Sequence, residues 1–204
     1  MRRLAVEPFR LFTEGDDLYE AMITAIRGAR RSIRLESFIF AADEIGWRFA
    51  SALSAGARAG VAVRFHFDSR GARTGFWPDL VREMLEAGVV LKWYRPWSWR
   101  HPSRYFHRDH RKLLVIDEQD LFLGGFNIRL ENARSLYGEG RTRDTHVSVK
   151  GELARQAVVL FDRMWDDPEH PYVGAPAQTF RPPGERLTCG CSFRTRAIRR
   201  SSAG

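Results

Sequence analysis

Cysteine and lysine are both scarce in this 204-residue chain. The two cysteines, Cys189 and Cys191, lie two positions apart near the C-terminus and cannot staple a core, which excludes a disulfide-framed secreted domain. No apolar run approaches the ~20 residues that a membrane-spanning helix needs. Met1-Arg2-Arg3-Leu4 leads into Glu7, Pro8 and Arg10 rather than an apolar segment, so no signal peptide is expected. These absences point to a cytoplasmic protein. With 44% hydrophobic and 28% charged residues, the composition is that of a globular chain rather than a disordered or collagenous one.

Acidic charge is short as well: 33 Lys+Arg face 25 Asp+Glu, for a formal net charge of +8. The excess is uneven. Six arginines (Arg181, Arg186, Arg194, Arg196, Arg199, Arg200) against Glu185 put +5 in the last 24 residues and leave +3 for the other 180. The net charge is therefore a weak argument for nucleic-acid binding.

Periodicity organises residues 13–167. Leu18, Met22, Ala25, Ile26 and Ala29 fall at helical spacing behind Asp16 and Asp17, whose charges suit a helix start. Ser32 to Phe40 reads as a strand, Asp43 to Ala59 as a helix, Val61 to Phe67 as a strand, Asp79 to Ala87 as a helix and Val89 to Tyr94 as a strand. This rhythm predicts an α/β fold with a mixed, largely parallel sheet and helices on both faces. Strands follow at Lys112 to Ile116, Asp120 to Leu123 and Thr145 to Val149, then a helix from Glu152 to Trp165. Residues 1–168 are expected to form one folded unit. The Pro/Gly/Arg-rich stretch 169–204 is expected to be a disordered tail outside it.

The chemistry concentrates in His110-Arg111-Lys112-Leu113-Leu114-Val115-Ile116-Asp117, followed by Gly124-Gly125-Phe126-Asn127. Strand positions i and i+2 point the same way, about 6.6 Å apart, so His110 and Lys112 should project together. A nucleophilic imidazole beside a fixed cation is what a phosphodiester requires: one attacks phosphorus, the other holds the non-bridging oxygens. Asn127 could add a neutral donor after the glycine turn. Asp117 suits a structural role. For a chain with 6 His, 3 Lys and 12 Asp, H-x-K-x4-D is expected by chance only about 0.005 times.

With G-G-F-N ten residues on, the sequence resembles the phospholipase D superfamily, and within it most closely bacterial cardiolipin synthases. The likeness runs from about Phe9 to Asp167 and includes SIRLESFIF, ARAGVAVRFHFD, HRKLLVID, LFLGGFNI and RDTHVSVKG. It implies that His110 forms a phosphohistidine and that Lys112, Asn127 and Gly125 bind phosphate. It also implies that Asp144 orients His110 through the other ring nitrogen, and that no metal or other cofactor is needed. The implied partner is a phospholipid membrane surface, at the inner face of the membrane. Family members usually hold two such motifs, and this chain holds one. Either two copies pair as a homodimer to supply both histidines, or the chain is the first half of a truncated enzyme. The alternative functions are a homodimeric, metal-independent nuclease-type phosphodiesterase and an inactive remnant. Nucleic acid is not the expected partner.

Each sharper reading has a plainer rival. Asp144 could serve a salt bridge with Arg141 or Arg143. Glu36 could face the site or be an exposed alternating residue, and His146 reads as a packed core histidine. His101, His107 and His110 lack the cysteines or spaced carboxylates of a metal site. The stretch Lys92 to Arg111 interleaves Trp93, Tyr94, Trp97, Trp99, Tyr105 and Phe106 with Arg95, Arg100, Arg104 and Arg108. It suits an interfacial loop, a stacking surface for single strands, or aromatics packed under a loop.

Overall fold

The computed structural model describes residues 9–68, 78–94, 99 and 108–167. The elements run β1 (Phe9–Phe12), α1 (Gly15–Gly28), β2 (Ser32–Ser37), α2 (Glu44–Arg58), β3 (Ala62–Asp68), α3 (Pro78–Glu86) and β4 (Val90–Tyr94). They continue with β5 (Leu113–Ile116), β6 (Asp120–Gly124), α4 (Arg134–Tyr137) between two single 3-10 turns, β7 (His146–Lys150) and α5 (Glu152–Trp165). Among the described residues, seven strands form one mixed sheet in the order β1-β7-β6-β5-β2-β3-β4.

Helices cover both faces, as the sequence predicts. On one face Leu18, Met22, Ile23 and Ile26 of α1 join Ile45, Phe49 and Leu53 of α2 and Leu80, Val81 and Met84 of α3. They pack over Ile33, Leu35, Val63, Phe65, Leu114 and Ile116. On the other, Ala154, Ala157, Val158, Phe161 and Trp165 of α5 cover Leu113, Val115 and Leu121. Helix α5 is pinned by Asp162, which receives Arg34 (3.0 Å) and Arg64 (3.2 Å), and by Lys92, which donates to the terminal Trp165 carbonyl at 2.6 Å. The parallel character is narrower than expected. Five strands share one direction, but only the β2–β3 and β3–β4 pairs are parallel, against four antiparallel pairs. A three-residue connection such as that between β5 and β6 can join only antiparallel neighbours.

Two boundaries differ from expectation. Strand β2 stops at Ser37 rather than Phe40, because the chain turns away and ties itself to the segment after the glycines. The Ile39 N–H donates to Asn127 Oδ1 at 3.1 Å, and Phe40 bridges Ile128. Strand β1 was not foreseen: it pairs with β7 at the sheet edge and buries only Phe12. Residues 169–204, read as a disordered tail, lie outside the described residues.

Candidate active site

Neighbouring strands in this sheet end together at one edge. The C-terminal ends of β2 and β6 meet there with the entrances of β5 and β7. Lys112, one residue ahead of β5, is 3% exposed, and its ammonium lies 3.1 Å from His110 Nδ1 and donates to the His110 carbonyl at 2.7 Å. His110 itself is exposed, its ring resting 4.7 Å from that of Phe38. The two residues paired by sequence spacing are thus together. With the ammonium donating to Nδ1, a neutral His110 ring carries its proton on Nε2. Burial pushes the Lys112 ammonium down to about 8, against the opposing negative charges of Asp144 and Asp109.

Asn127 is gripped from the protein side. Its Oδ1 accepts from Ile39 N–H and its carbonyl accepts from the Tyr19 hydroxyl at 2.5 Å, while its Nδ2 donates to no described residue. The segment that follows is tied back to both helices. Asp43, the N-cap of α2, accepts from Leu130 N–H (2.6 Å), and Asp16 accepts from Arg134 N–H (2.6 Å) at the start of α4.

The two glycines set the distance between β6 and β7. A β-carbon at Gly124 would collide with the Thr145 carbonyl and His146, and one at Gly125 with the Asp144 carboxylate. Asp144 is exposed, and its carboxylate accepts from Thr145 N–H at 2.7 Å. It makes no hydrogen bond to His110 among the described residues. The partner at His110 Nδ1 is Lys112, not the Asp144 that the resemblance implied. The suggested pairing of Asp144 with Arg141 is absent too, since Arg141 forks onto Glu14, at 2.7 Å from Nε, and also bonds Glu139.

His146, next to Gly124 across the strand pair, is 1% exposed, and neither ring nitrogen has a described partner. Burial pushes it down to about 4; Asp144 opposes that shift and the Lys112 charge adds to it, so the ring is neutral at pH 7. Asp117 sits in the β5–β6 turn, in the left-handed region with Glu118, and its carboxylate accepts from the backbone N–H groups of Arg30, Arg31 and Ser32 at 2.8–2.9 Å.

Beneath His110 lies a buried ionic network that periodicity did not reveal. Arg111 forks onto Asp109, with Nε to Oδ1 and Nη2 to Oδ2 both 3.1 Å, and reaches Glu36 Oε1 at 2.9 Å. Glu36 is 3% exposed rather than a surface residue, and also meets His66 Nδ1 at 3.3 Å. Buried Asp68, at the end of β3, receives Arg108 Nη1 and Asp109 N–H, each at 3.2 Å. Glu36, His66 and Asp109 could between them hold a metal ion, but the Arg111 guanidinium already occupies the cation position between the two carboxylates. The available clue was an acid, Glu36, interrupting an apolar run, and an Asp-His-Arg triplet with opposite charges on either side of the histidine. His101, His107 and the aromatic-basic residues 95–98 and 100–107 lie outside the described residues.

The sequence model of the family described as "Cardiolipin synthase, PLD-like domain" matches residues 22–165. The chain belongs to this family. It is 36% identical to a cardiolipin synthase of Clostridium perfringens over 142 residues, covering 69% of this chain and 29% of that protein. It is 31% identical to the major cardiolipin synthase of Bacillus subtilis over 161 residues, covering 78% and 33%. The chain thus spans about a third of the length of the cardiolipin synthases it matches. Among solved structures, Nuc from Salmonella typhimurium, a phospholipase D family member, superposes with a TM-score of 0.61 at 19% identity, covering 81% of this chain and 97% of that one. A phosphatidylserine synthase from Haemophilus influenzae gives 0.61 at 14% identity, covering 76% and 36%. At such identities these two likenesses establish the fold alone.

Proposed function

We propose that this chain is a cardiolipin-synthase-like unit of a phosphatidyltransferase, acting on anionic phospholipid through a phosphohistidine at His110. The observation that carries the reading is the contact between His110 and the buried Lys112 ammonium, with the Asn127 amide nitrogen left open nearby. An arriving phosphate competes with His110 for the ammonium. Once Lys112 turns to the non-bridging oxygens, the ring is free to carry its proton on Nδ1 and present Nε2 to phosphorus. The N–P bond forms as the ester P–O bond breaks, and the departing alcohol oxygen takes a proton. An alcohol or water then attacks phosphorus and releases His110. Asp144, whose charge reaches Lys112, would steady that cation through both steps.

The departing oxygen needs an acid, a contribution worth roughly 10²–10⁴ in rate. This chain carries one H-x-K-x4-D motif, so we assign the acid to a second motif, from a second copy of the chain or a further repeat. The one-third coverage of the cardiolipin synthases supports that need. The reading includes peripheral contact with the inner face of the membrane, supported by the arginine and tryptophan content of residues 92–111. Among the described residues no helix is long and apolar enough to cross a membrane.

A second reading is a homodimeric, metal-independent phosphodiesterase acting on nucleic acid, and the near-complete coverage of Nuc supports its single-repeat length. Purified protein with phosphatidylglycerol liposomes, or with DNA or RNA, in the presence of chelator separates the two. Lipid turnover and an acid-labile phosphoprotein, both abolished by His110→Ala, are the expected result. Lipid turnover that survives His110→Ala overturns the reading, and nucleic-acid cleavage without lipid turnover selects the second.

A further inference from the structure

His110 belongs to no strand: residues 108–112 are irregular, and among the described residues its exposed ring meets Phe38 and Lys112. A nucleophile must be held to a fraction of an ångström, and irregular backbone does not supply that by itself. Here the residues on either side of it do. Asp109 and Arg111 lock across His110, with Arg111 N–H donating to Asp109 Oδ1 at 3.1 Å in addition to the two guanidinium bonds. Each half of that lock is then anchored in the sheet, Asp109 through its N–H to Asp68 at the end of β3 and Arg111 to Glu36 at the end of β2.

We propose that Asp109, Arg111 and Glu36 form a clamp that positions His110 for attack on phosphorus, with Arg111 as the member that joins the other two. The assignment rests on the reading of His110 given above. The three are positioning residues, since none touches the reacting atoms.

The charges fit a clamp that stays shut. Burial and the adjacent Asp109 raise the Glu36 carboxyl well above its ordinary range, and the Arg111 guanidinium opposes that shift. Burial would raise Asp109 too, but hydrogen bonds from Glu36 and Arg111 outweigh it and hold that carboxyl at about 2. The Arg111 guanidinium thus faces both buried carboxyl groups, so neither is left without a hydrogen-bonding cation. The planar fork bonds Asp109 side by side through Nε and Nη2 and reaches Glu36 through Nη2, a geometry that the single nitrogen of a lysine does not reproduce.

Long-range ¹H–¹⁵N spectra of ¹⁵N-histidine protein, assigned with His110→Ala, report the His110 tautomer whether or not lipid is turned over. Wild type should show one tautomer, with Nδ1 accepting from Lys112. Arg111→Lys should collapse the two ring-nitrogen signals toward an average, and should lower kcat by roughly 10²-fold at nearly constant KM. Glu36→Leu should do the same, and Glu36→Gln, which keeps an oxygen to accept from Arg111, should restore the single tautomer. The His146 signals serve as a check that each variant is folded. A folded Arg111→Lys protein with wild-type His110 signals overturns the clamp. A wild type lacking phosphodiester turnover but showing these shifts overturns the proposed function and leaves the clamp standing. If Arg111→Lys does not fold, the comparison of Glu36→Leu with Glu36→Gln decides.

Discussion

The Asp144 carboxylate fills the space that a side chain at Gly125 would need. The two strands close on each other there, with Gly125 N–H donating to the Thr145 carbonyl at 2.9 Å. The glycine pair thus acts as a seat that brings an anion and the neutral His146 to the edge where Lys112 emerges. Gly125→Ala must displace the carboxylate. Because that carboxylate ends an exposed, flexible side chain, we expect a stability loss of less than about 1 kcal/mol, read by urea unfolding, and a loss of phosphodiester turnover larger than that destabilisation explains.

Asp117 ties the β5–β6 turn to the start of β2 through three backbone N–H groups. Asp117→Ala should cost about 1–3 kcal/mol by leaving those donors without their acceptor. Burial works against the charge, but the Ser32, Arg30 and Arg31 bonds prevail and hold the carboxyl below its ordinary 3.8. Its contribution is therefore complete above that value and is lost as pH falls through the lower folded one. The gap between wild type and Asp117→Asn in urea midpoint should close on acidification, and a gap that widens would refute the assignment.

His146 has the opposite origin but also weakens the fold in acid. Its ring is near 4 in the folded protein against an ordinary 6.5, so between those values the unfolded chain binds the extra proton. Stability should fall by about 2 kcal/mol from pH 7 to pH 5 on this account. In His146→Met that part of the slope should vanish, which paired urea titrations at the two pH values will show.

Lys112 loses its proton near pH 8. Binding of a phosphodiester of constant charge, such as dimethyl phosphate, should weaken about tenfold between pH 7 and pH 9 as the cation is lost. Calorimetry on wild type and Lys112→Met checks this. The variant should bind weakly at both values, and an equal pH dependence in the two proteins would remove Lys112 from the phosphate site.

Most of the fold was readable along the chain because the elements covering the core carry their period openly. Leu18, Met22 and Ile26 mark α1, and Val63, Phe65 and Phe67 mark β3. Strand β1 escaped notice since four residues with one buried side chain carry no period. The end of β2 was misread because Phe38, Ile39 and Phe40 look like strand. Their departure from the sheet is decided by hydrogen bonding to Asn127, 88 residues away from Ile39.

The site divides the same way. The pairing of His110 with Lys112, and the glycines and Asn127 that follow, are short-range relations in the chain, so the pattern of residues by itself determined which groups are proposed to act on a phosphodiester. What surrounds them is not short-range. Arg111 meets Glu36 across 75 positions, and His66 meets Glu36 across 30. Only the folded sheet decided that the Glu36 carboxyl is raised, that the Asp109 carboxyl is lowered, that His146 is neutral and that Lys112, rather than Asp144, stands at His110 Nδ1. Those outcomes depend on how much water burial removes from each group and which charges then face it, and a linear sequence specifies neither until distant strands are side by side.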